Sequence, residues 1–306
     1  MEIFTNFVTV PTMISMKKRI YHTANGEYPG HRLTFAEKSA HLYHYTSFVS
    51  FVKIWLSQRL LFSPLSKMND VQEKSVRCAS SNPNSIPILK AYDEIRRKYK
   101  QISFTMDYDS YFKGCMSTIM WGHYADKCNG VCIEFDASKL SFPEGTLCGF
   151  IHYKKAMEHN TPIPTSVKTI EDIDKYIRRN SRRILFTKQS GWREENEFRV
   201  VSANADYLDI TGAITAIYLT SFKSTECLLA EKLVNDTVPV KFLHYIGAED
   251  NLLLPVLTDT RKIREQLEYN LIAPEVIDAE VRQKEHLAMD ILHSAKSHPS
   301  SDSSNE

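Results

Sequence analysis

The chain has 306 residues and a mass of 35.2 kDa, and 42% of its residues are hydrophobic, which is enough for one large domain or two small ones. Its 38 basic and 37 acidic residues give a net charge of +1, so overall charge gives no reason to expect nucleic-acid or membrane binding. No apolar run approaches the ~20 residues of a membrane span. The N-terminus also lacks a secretory signal, so we expect a cytoplasmic protein with no membrane partner.

The sequence pattern divides the chain into four parts. Residues 1–40 show no clean periodicity, and we expect an N-terminal arm that packs on the domain without defining it. Residues 41–260 carry successive strand-like and helix-like segments and are predicted to form an α+β catalytic-like domain. Residues 261–296 are predicted to be a C-terminal helical extension. Residues 297–306 are polar and serine-rich, which predicts a disordered tail.

The domain begins with a predicted strand, helix and second extended segment. Residues 41–46 alternate aromatic and polar side chains, which is typical of a short strand. Ser47 follows and is a suitable helix N-cap. His44 lies near the strand end, where the helix begins. A single histidine in such a position is more often a structural hydrogen-bonding group than a functional one, and both interpretations stay open.

The middle of the domain contains the strongest indication of its sheet type. A helix is predicted over residues 86–101, and a shorter one over 117–127 that ends at Gly130, a residue able to take a left-handed conformation. Residues 131–136 and 147–153 resemble two neighbouring strands. This hairpin-like pair predicts an α+β fold with a mixed, mainly antiparallel sheet, split into two halves, with peripheral helices.

A longer helix is predicted over residues 171–188, with apolar isoleucines on one stripe. Arg178, Arg179, Arg182 and Arg183 form a basic stripe beside it. Such a stripe is usually a solvated helix face. A phosphate-bearing ligand or a nucleic acid is the less common explanation.

The most informative segment is residues 192–201, whose period-two alternation predicts a strand. Because residues two apart share a strand face, we expect Glu195, Glu197 and Arg199 to point the same way. On a solvated face they form an ordinary charged surface. In a cleft, repulsion between the carboxylates is expected to raise at least one pKa.

Six scattered cysteines complete the set of reactive residue types. Cys128 and Cys132 are close in sequence, but the chain has no second closely spaced pair of cysteines, so buried free thiols are favoured over a zinc site. No Asp, Glu and His cluster has ligand-like spacing, and no metal site is predicted.

Four local patterns occur in one order along the chain. They are His44-Tyr45-Thr46 before a helix; Asn69-Asp70 after a Leu-Phe-Ser-Pro strand; Met120-Trp121-x-x-Tyr124-Ala125-Asp126-x-x-x-Gly130-Val131-x-Ile133-Glu134-Phe135; and Lys188-x-x-x-Trp192-x-x-Glu195-x-Glu197-x-Arg199. Together they resemble, over roughly residues 41–245, a large bacterial family known only as a domain of unknown function. Val71 departs from the proline usual in that family after the second pattern, and Thr220 stands where a glycine often ends the late strand.

The order of a strand histidine, a helix, an aromatic block and a late Glu-x-Glu strand also resembles the ADP-ribosyltransferase fold. That resemblance implies NAD as a substrate and Glu197 as the main catalytic carboxylate, with Glu195 as its partner. It implies that Arg199 either holds a pyrophosphate or neutralises the carboxylates. The remaining implied NAD-binding residues are His44, Tyr45, Thr46, Trp121 and Tyr124, with Tyr124 or Trp121 stacking on nicotinamide.

The chemistry explains why such residues are needed. Cleavage of an N-glycosidic bond creates an oxocarbenium-like centre that a nearby carboxylate stabilises electrostatically. A second carboxylate orients the acceptor or accepts its proton. Catalysis of this kind requires His44 and the Glu195–Glu197 face to line a single cleft. It also implies that Glu197→Gln abolishes activity without loss of stability.

The resemblance implies either an ADP-ribosyltransferase or an NAD glycohydrolase, with a protein, DNA, RNA or water as acceptor. A bacterial toxin or phage-defence effector, held in check by a neutralising partner protein, fits such an activity. The alternative is a non-catalytic ligand- or partner-sensing module of a bacterial defence or regulatory system. Released nicotinamide distinguishes the two hypotheses.

Overall fold

A computed structural model describes residues 41–70, 86–108, 112–155, 163–164, 166–220, 225–247 and 253–261. The predicted N-terminal arm, most of the predicted C-terminal helical extension and the predicted tail lie outside these ranges, as does Val71. No helix within the described ranges has the length and apolar character needed to cross a membrane.

Strands and helices alternate through the described part of the chain. The strands are β1 (His41–Thr46), β2 (Arg59–Leu61), β3 (Ser63–Pro64), β4 (Lys100–Met106), β5 (Val131–Asp136), β6 (Leu147–Phe150), β7 (His152–Lys154), β8 (Thr187–Gln189), β9 (Glu197–Ser202), β10 (Tyr207–Asp209), β11 (Ile214–Leu219), β12 (Val240–Gly247) and β13 (Leu253–Asp259). The helices are α1 (Phe48–Ser57), α2 (Ile86–Lys98), α3 (Thr118–Tyr124), α4 (Ile170–Arg179), α5 (Ser181–Ile184) and α6 (Thr225–Val234). Short 3₁₀ helices lie at Leu65–Lys67, Gly114–Met116, Ala137–Lys139 and Ser190–Glu195.

The main sheet has nine strands in the order β13-β12-β11-β5-β1-β4-β9-β6, with β3 paired to β4 beside this path. Its neighbours run antiparallel except β11 and β12, which are parallel. Two small sheets, β2–β10 and β7–β8, lie apart from it. The prediction of a mixed, mainly antiparallel sheet with several helices is therefore confirmed.

The prediction that residues 131–136 and 147–153 form a hairpin-like pair is wrong. β5 pairs with β1 and β11, whereas β6 pairs with β9 at the sheet edge. Three strands, β1, β4 and β9, separate the two expected partners. A period-two pattern indicates which side chains share a face, but it carries no information about which strand lies alongside.

β1 and β4 meet at an opening in the sheet. All six residues of β1 pair with β5, but only Leu42 and Tyr43 pair with β4, opposite Met106 and Thr105. The two strands therefore lie together at one end and separate towards Thr46. The predicted division of the sheet into two halves occurs only in part, as an opening between two strands of one continuous sheet.

Apolar side chains cover both faces of the sheet. One cluster lies under α1 and α6 and includes Leu42, Phe104, Phe135 and Phe198. The opposite face packs Tyr43, Tyr45 and Tyr218 against Trp121 and Met120 of α3. A third cluster fills the space between α2, α4 and the β9–β6 edge with Tyr92, Ile95, Ile173, Ile177, Leu147 and Val201. Two covered faces explain why every residue of β9 is buried.

The helix predicted over residues 171–188 ends earlier than expected. The Thr169 side chain accepts a hydrogen bond from the Asp172 amide and caps the start of α4. The helix ends before Asn180, and the short α5 follows. Lys188 consequently lies on the strand β8. This shift gives Lys188 access to the side chains that follow it in sequence.

The turn between α3 and β5 depends on Gly130, for a reason other than the expected one. The left-handed residues of this turn are Asp126, Lys127 and Cys128, with φ of 47°, 53° and 72°, and Gly130 is not among the glycines of positive φ. A Cβ atom at Gly130 would lie 2.2 Å from the Thr46 carbonyl oxygen. Glycine is therefore required because β1 passes too close for a side chain.

We expect Gly130→Ala to destabilise the fold by about 1–3 kcal/mol, because a methyl group must displace the β1 backbone. Gly122 of α3 is the matched control, since an added Cβ there meets no atom within 4 Å. Urea unfolding of both variants checks the prediction. Equal midpoints for Gly130→Ala and wild type would contradict it.

Candidate functional site

A cavity of about 1160 Å³ lies at the opening between β1 and β4. Most of the residues predicted to form the site line it, although they come from distant parts of the sequence. These residues are His44, Tyr45, Thr46, Tyr124, Glu195 and Glu197. The structure therefore brings His44 and the Glu195–Glu197 pair to one cavity, and it leaves Trp121 and Arg199 outside the lining.

Lys188 joins the two carboxylates at the inner wall of this cavity. Its Nζ atom lies 2.6 Å from Glu195 Oε2 and 2.9 Å from Glu197 Oε2. The three side chains are nearly inaccessible to solvent. One ammonium group thus compensates two carboxylates in a region of low polarisability, where unpaired charges are costly.

Arg199 neutralises Glu197 from the other side. Its Nε and Nη2 atoms donate to Glu197 Oε1 and Oε2 at 2.7 and 3.0 Å, and its Nη1 donates to the Leu185 carbonyl at 2.7 Å. Ser103 Oγ donates a further bond of 2.6 Å to Glu197 Oε1. Both oxygens of Glu197 are therefore occupied. Of the two roles expected for Arg199, the contacts favour neutralisation over pyrophosphate binding.

The two carboxylates differ in proton affinity. Burial raises the pKa of Glu195 above its ordinary value of 4.5, and the charge of Glu197 adds to this rise, while Lys188 opposes it. Burial alone would also raise the pKa of Glu197, but Arg199 and Lys188 hold that pKa well below 4.5. Glu197 is therefore a fixed anion, and Glu195 is the member of the pair suited to proton transfer.

The predicted strand through residues 192–201 is shorter than expected. Glu195 ends the 3₁₀ helix Ser190–Glu195, and Asn196 follows with a left-handed φ of 44°. The strand β9 begins only at Glu197. Glu195 thus reaches Lys188 from a turn, not from the strand face of Glu197. Side-chain alternation did not reveal the turn, although Asn196 was a signal for it, since asparagine is one of the few residues that tolerate a left-handed conformation.

His44 approaches the cavity from the other side of the sheet plane. By register, Tyr43 shares a face with Thr105 and Glu197, so the neighbouring His44 belongs to the opposite face, where it contacts the ring of Phe104. His44 and Glu197 both line the cavity because β1 and β4 separate at this level. Both residues line one cavity, but His44 lies on the far side of the sheet from Glu197, and this placement favours the structural interpretation of His44 over the expected ligand-binding one.

The protonation of His44 follows from its partner. Its Nδ1 lies 3.1 Å from the Ser103 carbonyl oxygen, which only accepts hydrogen bonds. Burial lowers the pKa of His44, against the opposing effect of this bond. The neutral ring accordingly carries its proton on Nδ1, which leaves Nε2 as an acceptor.

The three aromatic candidates have different roles. Trp121 is a core residue and not a ligand-stacking one: its Nε1 donates to the Cys115 carbonyl at 2.8 Å, and its ring meets Tyr45 edge to face. The hydroxyl of Tyr45 donates to the Gly114 carbonyl. Tyr124 instead lines the cavity and donates to Glu195 Oε1. Of the two residues expected to stack, only Tyr124 is available to a ligand.

Several residues of the cavity had no role predicted from the sequence. Lys188 opens the fourth pattern, so that pattern already contained the signal for it. The exposed cations Lys53, Arg59 and Lys67 also line the cavity. Four cations and two carboxylates therefore line it, and the carboxylates already contact Lys188 or Arg199. Within the described ranges, no group of three His, Cys, Asp or Glu side chains is arranged to hold a metal ion.

The family model described as "Protein of unknown function (DUF2971)" matches residues 120–200. This range includes the third and fourth patterns, with Tyr124, Lys188, Glu195, Glu197 and Arg199. The match supports a resemblance to a domain of unknown function over that part of the chain. Searches of curated proteins and of solved structures gave no match.

We expect Glu197→Gln to destabilise the protein by about 3–5 kcal/mol, because Arg199 and Lys188 would lose a buried counter-charge. This reverses the expectation of unchanged stability. Glu194→Gln is the matched control, since Glu194 is exposed and three positions nearer Lys188 in sequence. Urea unfolding at pH 7 measures the difference. Indistinguishable unfolding midpoints for Glu197→Gln and wild type would show that the charge is dispensable to the fold.

The same carboxylate predicts a specific acid dependence. Since the folded pKa of Glu197 is below 4.5, its stabilising contribution is complete above pH 4.5 and declines as pH falls below that value. We expect the gap in unfolding free energy between wild type and Glu197→Gln to narrow from pH 5 towards pH 3. A gap that widened on acidification would contradict the assigned ionisation.

Proposed function

We propose that the chain is an NAD-using, ADP-ribosyltransferase-like protein that cleaves the bond between ribose and nicotinamide. The observation that carries this proposal is the single cavity at the β1–β4 opening, lined by His44, Tyr124 and Glu195. These residues supply a neutral acceptor, an aromatic surface and a carboxylate of raised proton affinity. A cytoplasmic location and an ADP-ribosyltransferase-like fold are parts of the same proposal.

The lining of the cavity suits the chemical groups of NAD. The free Nε2 of His44 accepts a ribose hydroxyl, and the ring of Tyr124 offers a face to the nicotinamide. The exposed cations Lys53, Arg59 and Lys67 in the cavity lining favour binding of a pyrophosphate. Tyr45 and Thr46 shape the wall next to His44.

The proposed reaction requires few protein groups. The bond from ribose C1′ to the pyridinium nitrogen breaks, and nicotinamide leaves as a neutral molecule with the bonding electron pair. C1′ becomes an oxocarbenium-like centre, which the acceptor oxygen or nitrogen attacks. The Glu195 carboxylate takes the proton that the acceptor releases, a role to which its raised pKa is suited.

Glu197 has a different part in this scheme from the one that resemblance alone implied. Because its oxygens bond Arg199, Lys188 and Ser103, its charge is screened from a ligand. In this scheme Glu197 positions Lys188, and Lys188 in turn orients Glu195. The acceptor is a protein, a nucleic acid or water, and a toxin or defence role with a neutralising partner follows if a macromolecule is modified.

The runner-up is a non-catalytic module that senses a ligand or a partner. The observation in its favour is that Glu195 is itself bonded by Lys188 and Tyr124, as in a structural network. A sensing module and an enzyme predict the same ligand binding but differ in nicotinamide release. Calorimetric NAD binding combined with a nicotinamide assay, with and without cell lysate, separates them.

We expect Glu195→Gln to lower nicotinamide release from NAD by about 10²–10³-fold while leaving NAD binding within severalfold of wild type. Glutamine is close in shape to glutamate, and Glu197 still compensates the charge of Lys188, so we expect a smaller loss of stability than for Glu197→Gln. Paired thermal melts and turnover assays measure both effects.

The controls separate the carboxylate from its neighbours. Glu194→Gln alters an exposed charge and should preserve turnover. Tyr124→Phe keeps the ring but removes the hydrogen bond to Glu195. NAD binding without measurable nicotinamide release by wild type, in lysate or buffer, would favour the sensing module. Absence of NAD binding would reject both the enzyme and an NAD-sensing module, and would leave only the partner-sensing module.

A further inference from the structure

Three polar side chains follow one another along the cavity face of β4. Gln101, Ser103 and Thr105 share this face by strand alternation, and they lie opposite Val201, Arg199 and Glu197 of β9. All three line the cavity. Gln101 is 2% exposed and Thr105 is 1% exposed, so the ends of this polar row are almost fully removed from bulk solvent.

The hydrogen-bonding of the row is incomplete. Ser103 Oγ donates to Glu197, and Gln101 Nε2 lies 2.8 Å from Met68 Sδ. In contrast, Gln101 Oε1 and Thr105 Oγ1 are buried atoms with no hydrogen-bond partner among the described residues. Buried polar atoms are almost always paired, and an unpaired one costs free energy. Both atoms belong to residues that line the cavity but are themselves covered in this structure, so a ligand that supplies their partners must also displace the side chains that cover them.

The spacing of the two oxygens defines the kind of ligand. Residues four apart on a strand are separated by about 13 Å along its axis, which is too far for the two hydroxyls of one ribose. An amide oxygen accepts hydrogen bonds, and a threonine hydroxyl both donates and accepts. A single ligand that meets both must be elongated and carry hydroxyl or amino groups near both ends.

We propose that Gln101 and Thr105 are the two ends of a binding row on β4 that receives the hydroxyl groups of an extended, sugar-containing ligand of dinucleotide length. The choice of NAD as this ligand rests on the proposed function. The row itself does not require that any bond be cleaved. Gln101 and Thr105 are binding and specificity residues, and neither takes part in the proton transfer assigned to Glu195.

The test uses Gln101→Met and Thr105→Val, which remove the polar atom and largely preserve side-chain shape. We expect each to weaken NAD binding by about 3–10-fold in calorimetry, the range of one neutral hydrogen bond. We expect the melting temperature to hold or rise by about 2 °C, because a buried unpaired oxygen has been removed. Adenosine monophosphate and nicotinamide mononucleotide, each about half as long, should each be sensitive to only one of the two variants.

Ser103→Ala is the matched control on the same face, because the Ser103 hydroxyl bonds Glu197 and its loss should lower the melting temperature. Lower melting temperatures with unchanged NAD affinity in both test variants would overturn the proposal. So would failure of wild type to bind NAD, ADP-ribose and both mononucleotides. NAD binding that depends on both residues, without nicotinamide release, would uphold the row and reject the proposed reaction. Nicotinamide release with unchanged KM in both variants would reject the binding row and uphold the proposed reaction.

Discussion

The site depends on one buried ammonium group shared between two carboxylates. Lys188 comes from β8, Glu195 from the end of a 3₁₀ helix and Glu197 from the start of β9. The two contacts of Lys188 hold these three elements in one arrangement. Arg199 balances the second carboxylate charge through its hydrogen bond to Glu197. A network of this kind contributes more to a unique geometry than to net stability, since ion desolvation offsets much of the attraction.

The opening beside this network follows from the lengths of the strand pairs. Because β1 pairs with β4 over two residues only, the polar and aromatic side chains beyond Tyr43 border a cavity instead of a neighbouring strand. The cations at the cavity mouth remain exposed, whereas the carboxylates deeper inside are compensated by lysine and arginine. The exposed charged side chains of the cavity lining are therefore basic, and its buried charges are compensated by ion pairs.

Local patterns in the sequence predicted a mixed, mainly antiparallel sheet with several helices, and they included six residues that line one cavity. The N-cap at Ser47 was correctly predicted because it depends on adjacent residues. The mainly antiparallel sheet was also correctly predicted, although the hairpin on which that prediction was based does not form. Strand partners and the turn at Asn196 were not predicted, because they depend on tertiary contacts that periodicity does not encode. Trp121 is a further example, because its helical spacing fits either a core residue or a residue that contacts a ligand. The hydrogen bond from its ring to the Cys115 carbonyl identifies it as a core residue.

The opening between β1 and β4 limits how firmly the two groups of strands on either side of it are connected. Within the main sheet, two residue pairs join the strands from β13 to β1 with those from β4 to β6. A ligand that contacted both sides would add connections where the strand order from β13 to β6 has the fewest residue pairs. Binding of such a ligand would therefore raise the resistance of the sheet to local opening and to proteolysis.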